Sequence, residues 1–205
     1  MAWVARPARV RCGADSDGAR QLSPAFRTAT LSDVSAVVEL VESAYRGEKS
    51  RAGWTTEAEL LGGQRTDPEE VEALVNDPAA TLRLALEPAL SKSGSSEPAD
   101  VLIGCVLVRS EGEHAHVGMF AVRPTLQSRG LGSALLAEAE RIARECGAQR
   151  VRMTVIEQRT ELLAWYTRRG YQQTGQTEPF PYGNPRFGLP TRDDLRFLVL
   201  EKGLG

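Results

Sequence analysis

Between residues 31 and 45 the apolar positions Val34, Val37, Val38, Val41 and Tyr45 recur at helical spacing, with Ser32 or Asp33 placed to cap the helix. Ala25–Ala29 precedes it as a short strand, and Gly47 ends it. Two more helix starts follow. Thr56 with Glu59 three residues on has the form of a capping box and closes at Gly62-Gly63. Asp67-Pro68-Glu69 puts proline in a first turn, opening a helix that ends near Asn76. The pattern then shortens to a period of two, and Leu82, Leu84 and Leu86 alternate with Arg83 and Ala85 as a strand over 81–87. Pro88 to Asp100 is rich in Ser, Pro and Gly and reads as a mobile hairpin loop. The nearly continuous apolar run Val101–Val108 is a central strand, and a turn at Glu111-Gly112-Glu113 leads to another over His114–Val122.

Leu131, Leu135, Ala139, Ile142 and Cys146 form one stripe of the next helix, which Gly147 ends. Arg150–Ile156 is a strand, Glu161–Arg169 a helix stopped at Gly170, and Tyr171–Thr174 and Arg196–Leu200 the last two strands. An aromatic loop, Pro179-Phe180-Pro181-Tyr182-Gly183, lies between those two. Strands and helices in this order make a mixed α/β domain. The boundaries expected are a flexible tail over 1–24 and one domain over 25–205.

Charge narrows the partners. Lys and Arg number 25 against 27 Asp and Glu, a formal net charge of −2, so no global field draws the chain to nucleic acid or to an anionic membrane. No apolar run approaches the roughly 20 residues a membrane span needs. Cys12, Cys105 and Cys146 show no metal-ligand spacing, and an odd count suits a reducing compartment, so cytoplasm is the default expectation.

The most informative stretch runs Ala121-Val122-Arg123-Pro124, then Gln127-Ser128-Arg129-Gly130-Leu131-Gly132-Ser133. A strand enters a loop, and the loop enters a helix N-terminus with two glycines. The first turn of a helix has unpaired N–H groups and partial positive charge, and glycine lets a diphosphate come close to them. The Gly-Lys-Ser/Thr end of a P-loop is missing, and so is the Gly-x-Gly-x-x-Gly spacing of a dinucleotide fold. The segment Gln127–Gly132 fits Q/R-x-x-G-x-G/A and resembles the GNAT acetyltransferase superfamily. A second match agrees with it: Glu161–Tyr171 resembles the family's helix ending Tyr-x-x-x-Gly-Phe/Tyr, here Tyr166 to Tyr171.

That resemblance implies an α/β (α+β) fold with a mixed, mostly antiparallel central sheet of about six to seven strands flanked by helices. It implies a splayed strand pair that admits acetyl-CoA, with Ala121 and Val122 facing its pantetheine arm. Main-chain donors of Arg129, Gly130, Leu131, Gly132 and Ser133 would hold the pyrophosphate, with Gln127 in the same cofactor loop. Tyr166 stands where the family protonates the departing thiolate, whereas Trp165 points elsewhere and is read as packing. The base is often a Glu six residues before the Val of the Ala-Val pair. Here that position is His116, whose imidazole titrates near neutral pH. His114 shares its strand face, but no third ligand sits at metal-binding spacing. Where many members have an Asn seven residues before the Tyr, this chain has Arg159, which either reaches a CoA phosphate or simply begins the helix.

Acceptor specificity in the family comes from the first helical hairpin and the loop between the last two strands, here 45–64 and 178–189. Tyr45, Trp54, Glu57, Phe180 and Tyr182 are the substrate-binding candidates, with Glu48, Glu59 and Phe187 beside them. Carboxylates among rings can hold a cationic amine. The plainer alternative is a solvated acidic helix face with a few packed rings. The expected acceptor is a small-molecule primary amine. A protein N-terminus or lysine is the second reading, and a catalytically silent acyl-CoA sensor is the third. The resemblance also leaves a homodimer open.

Overall fold

The computed structural model describes residues 24–87 and 100–205. The expected tail over 1–24 and hairpin loop over 88–100 therefore lie almost entirely outside the described residues. Nine strands and five α-helices follow in chain order: β1 Ala25–Thr28, α1 Val34–Tyr45, α2 Gly47–Ser50, β2 Leu61–Gly62, α3 Pro68–Asn76, β3 Ala80–Glu87, β4 Val101–Glu111, β5 His114–Val122, α4 Leu131–Glu145, β6 Arg150–Ile156, α5 Thr160–Thr167, β7 Gln172–Pro179, β8 Leu189–Pro190 and β9 Arg196–Gly203.

Seven strands form one sheet in the order β1-β3-β4-β5-β6-β9-β7. Every neighbouring pair is antiparallel except β5–β6, which is parallel because α4 carries the chain back between them. The expected mixed, mostly antiparallel sheet of six to seven strands is what forms.

Helices cover both faces. On one side Leu131, Leu135, Leu136, Ala139 and Ile142 of α4 pack on Ile103, Val106, Val117 and Val151. On the other, Val37, Leu40 and Val41 of α1 with Val71 and Leu74 of α3 pack on Leu82, Leu84, Leu107 and Met119. Gly104 lets α4 approach this closely, since a Cβ there would stand 2.6 Å from Leu135 Cδ1. Fully buried Leu135 truncated to Ala would cost about 2–5 kcal/mol at such a contact.

The segment 51–60 departs from expectation. It is a series of turns, and the helical turn in this region is α2, before it. The Thr56 hydroxyl bonds to Ser50 Oγ at 2.6 Å and accepts the N–H of Ala58 at 3.1 Å, which closes a local turn in place of a helix cap. The first helix also begins differently. Thr30 opens a single 3₁₀ turn over Leu31–Asp33, and the Asp33 carboxylate reaches back to the Thr30 N–H at 2.8 Å. Strands β7 and β9 both run past their expected ends, β7 because it pairs with β9 and β9 because its last residues pair with β6. The two-residue ladder β2–β8, absent from the sequence reading, ties residues 61–62 to 189–190.

Candidate functional site

Strands β5 and β6 pair only at His114–Arg150, Ala115–Val151 and His116–Arg152, and then part. A bulge in β5 accompanies the parting. Cys105 faces Ala121 and Leu107 faces Gly118, so β5 carries an extra residue, and Met119 takes φ 39° to accommodate it. A bulge bends its strand and sharpens the local twist, which swings the C-terminal half of β5 away from β6. Helix α5, entered directly from the end of β6, leans over the gap with Leu162, Trp165 and Tyr166.

The gap opens to both sides as two cavities of about 580 and 350 Å³. The larger runs past Val122, the 127–133 loop and the face of α5 that carries Trp165, Arg168 and Arg169. The smaller lies among β5, β6 and β7, with His116, Glu178, Phe180 and Phe187 on its wall. Tyr45, Phe120, Arg159, Leu162 and Tyr166 line both cavities, so the two meet there.

In the larger cavity the loop before α4 takes left-handed conformations at Ser128 (φ 66°) and Gly130 (φ 82°), and no side chain caps the helix it enters. Its first-turn N–H groups are left for a ligand. Gly132 keeps the groove open beside Trp165, whose ring would lie 3.4 Å from a Cβ at that position. Arg169 stacks on the Trp165 ring at 3.6 Å and donates to Ser133 Oγ at 2.8 Å, adding positive charge to the rim. Trp165 is thus a cleft wall, which corrects its reading as packing pointed elsewhere.

The other cofactor-side candidates divide. Val122, Gly130, Gly132 and Ser133 line the cleft. The Ala121 side chain is buried with the α1 cluster on the opposite face, and Leu131 is buried in the α4 core. Arg129 is exposed and outside the cleft wall. Gln127 lines the cleft, but its amide serves the protein. It accepts from the N–H groups of Trp54 at 2.9 Å and Thr55 at 3.3 Å, and donates to Thr55 Oγ1 and the Val122 carbonyl. Arg159 bonds Glu57 at 2.8 Å and the Thr55 carbonyl at 2.5 Å, so its guanidinium is already engaged by the protein where it lines the cleft.

At the junction, burial pushes the Tyr166 phenol well above its ordinary pKa of 10.0, with a smaller push from Tyr45. Its hydroxyl stays protonated and makes no hydrogen bond to another side chain or carbonyl among the described residues. Tyr45 donates its hydroxyl to the Phe120 carbonyl at the bulge, and the guanidinium groups of Arg65 and Arg159 stand 5.5 and 5.6 Å from its ring centroid. In the smaller cavity burial lowers the His116 pKa, against the opposing fields of Glu111 and Glu178 and with those of Arg109 and Arg152. Near pH 7 the imidazole is neutral and can accept a proton. His114 instead lies 3.7 Å from Glu201, outside the cavity wall. Among the described residues no cluster of His, Cys, Asp and Glu could hold a metal ion.

The expected acceptor-side carboxylates are not free. Glu57 is buried between Arg46 (2.6 Å) and Arg159 (2.8 Å). Burial alone would raise its pKa, but Arg159, Arg65 and Arg46 together hold it below the ordinary value. Glu48 and Glu59 sit in solvent with Arg51. Trp54 lines the larger cavity, not the smaller one. Tyr182 is outside both and fastens its loop, its oxygen accepting the Leu195 N–H at 2.6 Å. Of the loop rings, Phe180 and Phe187 face the smaller cavity. Arg46, Arg65, Phe120 and Glu178 went unnoticed in the sequence, where no motif or spacing marks them.

The family model described as Acetyltransferase (GNAT) family matches residues 61–171, more than half of the chain. The chain belongs to the GNAT acetyltransferase family. That family is described as acetyltransferases. Solved structures share the GNAT fold at low identity. The ribosomal-protein-S18-alanine N-acetyltransferase from Escherichia coli aligns with TM-score 0.61 and 11% identity over 89% of this chain and 95% of that one. The yncA protein of Salmonella typhimurium, solved with its cofactor acetyl-CoA, aligns with TM-score 0.60 and 17% identity over 90% and 95%. The uncharacterised protein YdhI of Bacillus subtilis (strain 168) is 27% identical over 71 residues, 35% of this chain. The chain thus spans 43% of the length of that curated relative.

The cleft of this chain has a geometry that acetyl-CoA would fit. Its uncapped helix entrance, the Gly132 groove and the basic rim of Arg168 and Arg169 suit a diphosphate. The apolar passage between Val122 and Trp165 suits a neutral arm that ends at Tyr166.

Proposed function

We propose that the enzyme transfers the acetyl group to the primary amine of a small molecule by direct attack, with His116 as base and Tyr166 as acid. The observation that carries this reading is the meeting of the two cavities at Tyr166 and Phe120. Bound acetyl-CoA supplies an activated acetyl thioester from the larger cavity. The smaller cavity holds the amine. Neutral His116 takes its proton, directly or through water, and the Tyr166 hydroxyl keeps a proton ready at the junction. Guanidinium groups around Tyr45 also disfavour an ammonium, which eases deprotonation of the bound amine.

A volume of about 350 Å³ walled by Phe180 and Phe187 matches the lower end of small-ligand sites, and favours a small molecule over a protein chain. Residues 25–205 are taken as one catalytic domain. An exposed free Cys146 and a buried free Cys105 agree with work in the cytoplasm.

The test is amine-dependent release of free thiol from acetyl-CoA across a panel of small amines and peptides. Release with small amines and none with peptides is expected. Acetyl-CoA binding without release by any amine would favour a cofactor sensor instead.

A further inference from the structure

The smaller cavity has more positive charge than its walls neutralise. Arg46 is 6% exposed and donates from Nη1 to Glu57, while its buried Nε and Nη2 have no partner. A guanidinium presents five N–H donors in a planar fork, and leaving buried donors unmade is costly. Arg65, half-buried over the Tyr45 ring, pairs with no carboxylate among the described residues. Glu57 is already shared between Arg46 and Arg159. Three guanidinium groups thus surround one carboxylate at this end of the cavity. The opposite wall carries His116 and Glu178.

A cavity polarised in this way repels a simple alkylammonium from its arginine end. It complements a molecule with an amine at one end and an anion at the other. We infer that the acceptor is a small amine that carries its own carboxylate, received by Arg65 within the positive field that Arg46 adds, with the amine turned toward His116 and Tyr166. Arginine forks match a carboxylate with two parallel hydrogen bonds, and a shape this small admits an amino-acid-sized molecule. The carboxylate would balance the charge of Arg65, and the sealed Arg46 guanidinium beside it adds to the attraction. This inference rests on the acetyl-transfer reading above and names its acceptor class.

The test uses matched sets: methionine, methioninamide and 3-(methylthio)propylamine, then phenylalanine, phenylalaninamide and 2-phenylethylamine, with an aminoalkylphosphonate as a further arm. In the full chain, the carboxylates are expected to exceed their amides and decarboxylated amines in kcat/KM by at least about a hundredfold, since a site built to bond a polar group rejects analogues that lack it. Arg65→Met should collapse that preference to under about tenfold, mainly through KM, with acetyl-CoA affinity and melting temperature unchanged; Arg65→Lys should restore part of it. Amides or plain amines used as well as the acids, a preference that survives Arg65→Met, or a preference for the phosphonate would each overturn the inference while leaving acetyl transfer intact.

A binding arm needs no turnover. With CoA-saturated protein, N-acetylmethionine and N-acetylphenylalanine should bind and their decarboxylated counterparts should not. If neither acid binds, the carboxylate assignment is wrong. Failure of acetyl-CoA itself to bind would remove the proposed function beneath it.

Discussion

Arg159 and Glu57, separated by 102 positions in the chain, meet at 2.8 Å in a buried pair that Arg46 joins from the other side at 2.6 Å. The pair fastens the start of α5 to the turns after α2, and so sets the distance between the wall that carries Tyr166 and the wall that carries Tyr45. Its removal leaves two buried cations without a counter-charge. Glu57→Gln should therefore destabilise the protein by about 3–5 kcal/mol in urea denaturation at pH 7. Because the folded-state pKa of Glu57 is held below its ordinary 4.5, its stabilisation is present above that value and is lost as pH falls through the lower one. The gap between wild type and variant should close as pH drops below 4.5; a gap that stays constant to pH 3 would rule the ion pair out as its source.

Tyr166→Phe keeps the ring among Trp165, Phe120 and Tyr171 and deletes only the hydroxyl. Turnover should fall by about 10²–10⁴-fold with acetyl-CoA affinity nearly intact. Calorimetry beside steady-state kinetics separates the two effects. Unchanged kcat would take Tyr166 out of the chemistry.

For His116 the expected signature lies in the pH profile. Activity needs the neutral imidazole, and its pKa is lowered from 6.5 by burial, so kcat/KM should stay high below pH 6.5 before it falls. In His116→Ala the low-pH limb should vanish and the rate near pH 8 should drop by roughly 10²-fold. A limb that survives in the variant assigns the proton to another group.

Gln127 lies inside the family motif, yet its amide bonds Trp54, Thr55 and the end of β5. Gln127→Ala should lower stability by about 1–3 kcal/mol through the donors and acceptors it leaves unmade. Loss of order in residues 53–55, read by hydrogen exchange, should accompany it. If the variant weakens CoA binding with stability unchanged, Gln127 is a direct cofactor contact after all.

Gly132→Val tests the groove. A branched side chain there would press on the Trp165 ring, which already stands 3.4 Å from an added Cβ. Acetyl-CoA affinity should fall by roughly tenfold or more, equivalent to about 1.4 kcal/mol. Gly132→Ala should fit with little loss.

Strands and helices built on regular periods were legible in the sequence. The alternation of 81–87 and the run 101–108 are the inner strands β3 and β4, and His114–Val122 and Arg150–Ile156 have the bounds of β5 and β6. The 127–133 segment declared itself because a strand, a turn and a glycine-lined helix start are contiguous in the chain. Thr56 misled: its capping-box pattern is local, but Ser50 offered its hydroxyl a different partner. Glu57 misled for the same reason at longer range, since nothing near it in sequence announces Arg46 and Arg159 as its neighbours.

From the amino-acid order alone followed the layered sheet, the family and the strand–turn–helix passage at 127–133, because each depends on periodicity or on residues adjacent along the backbone. Folding alone decided which charges in the smaller cavity survive as charges. Glu57 is cancelled, Arg65 is left over, and Trp165 turns from packing into a cleft wall. Such outcomes depend on Coulomb and hydrogen-bond distances between segments far apart in the chain, and those distances exist only once β5 and β6 have parted and α5 has closed over the gap.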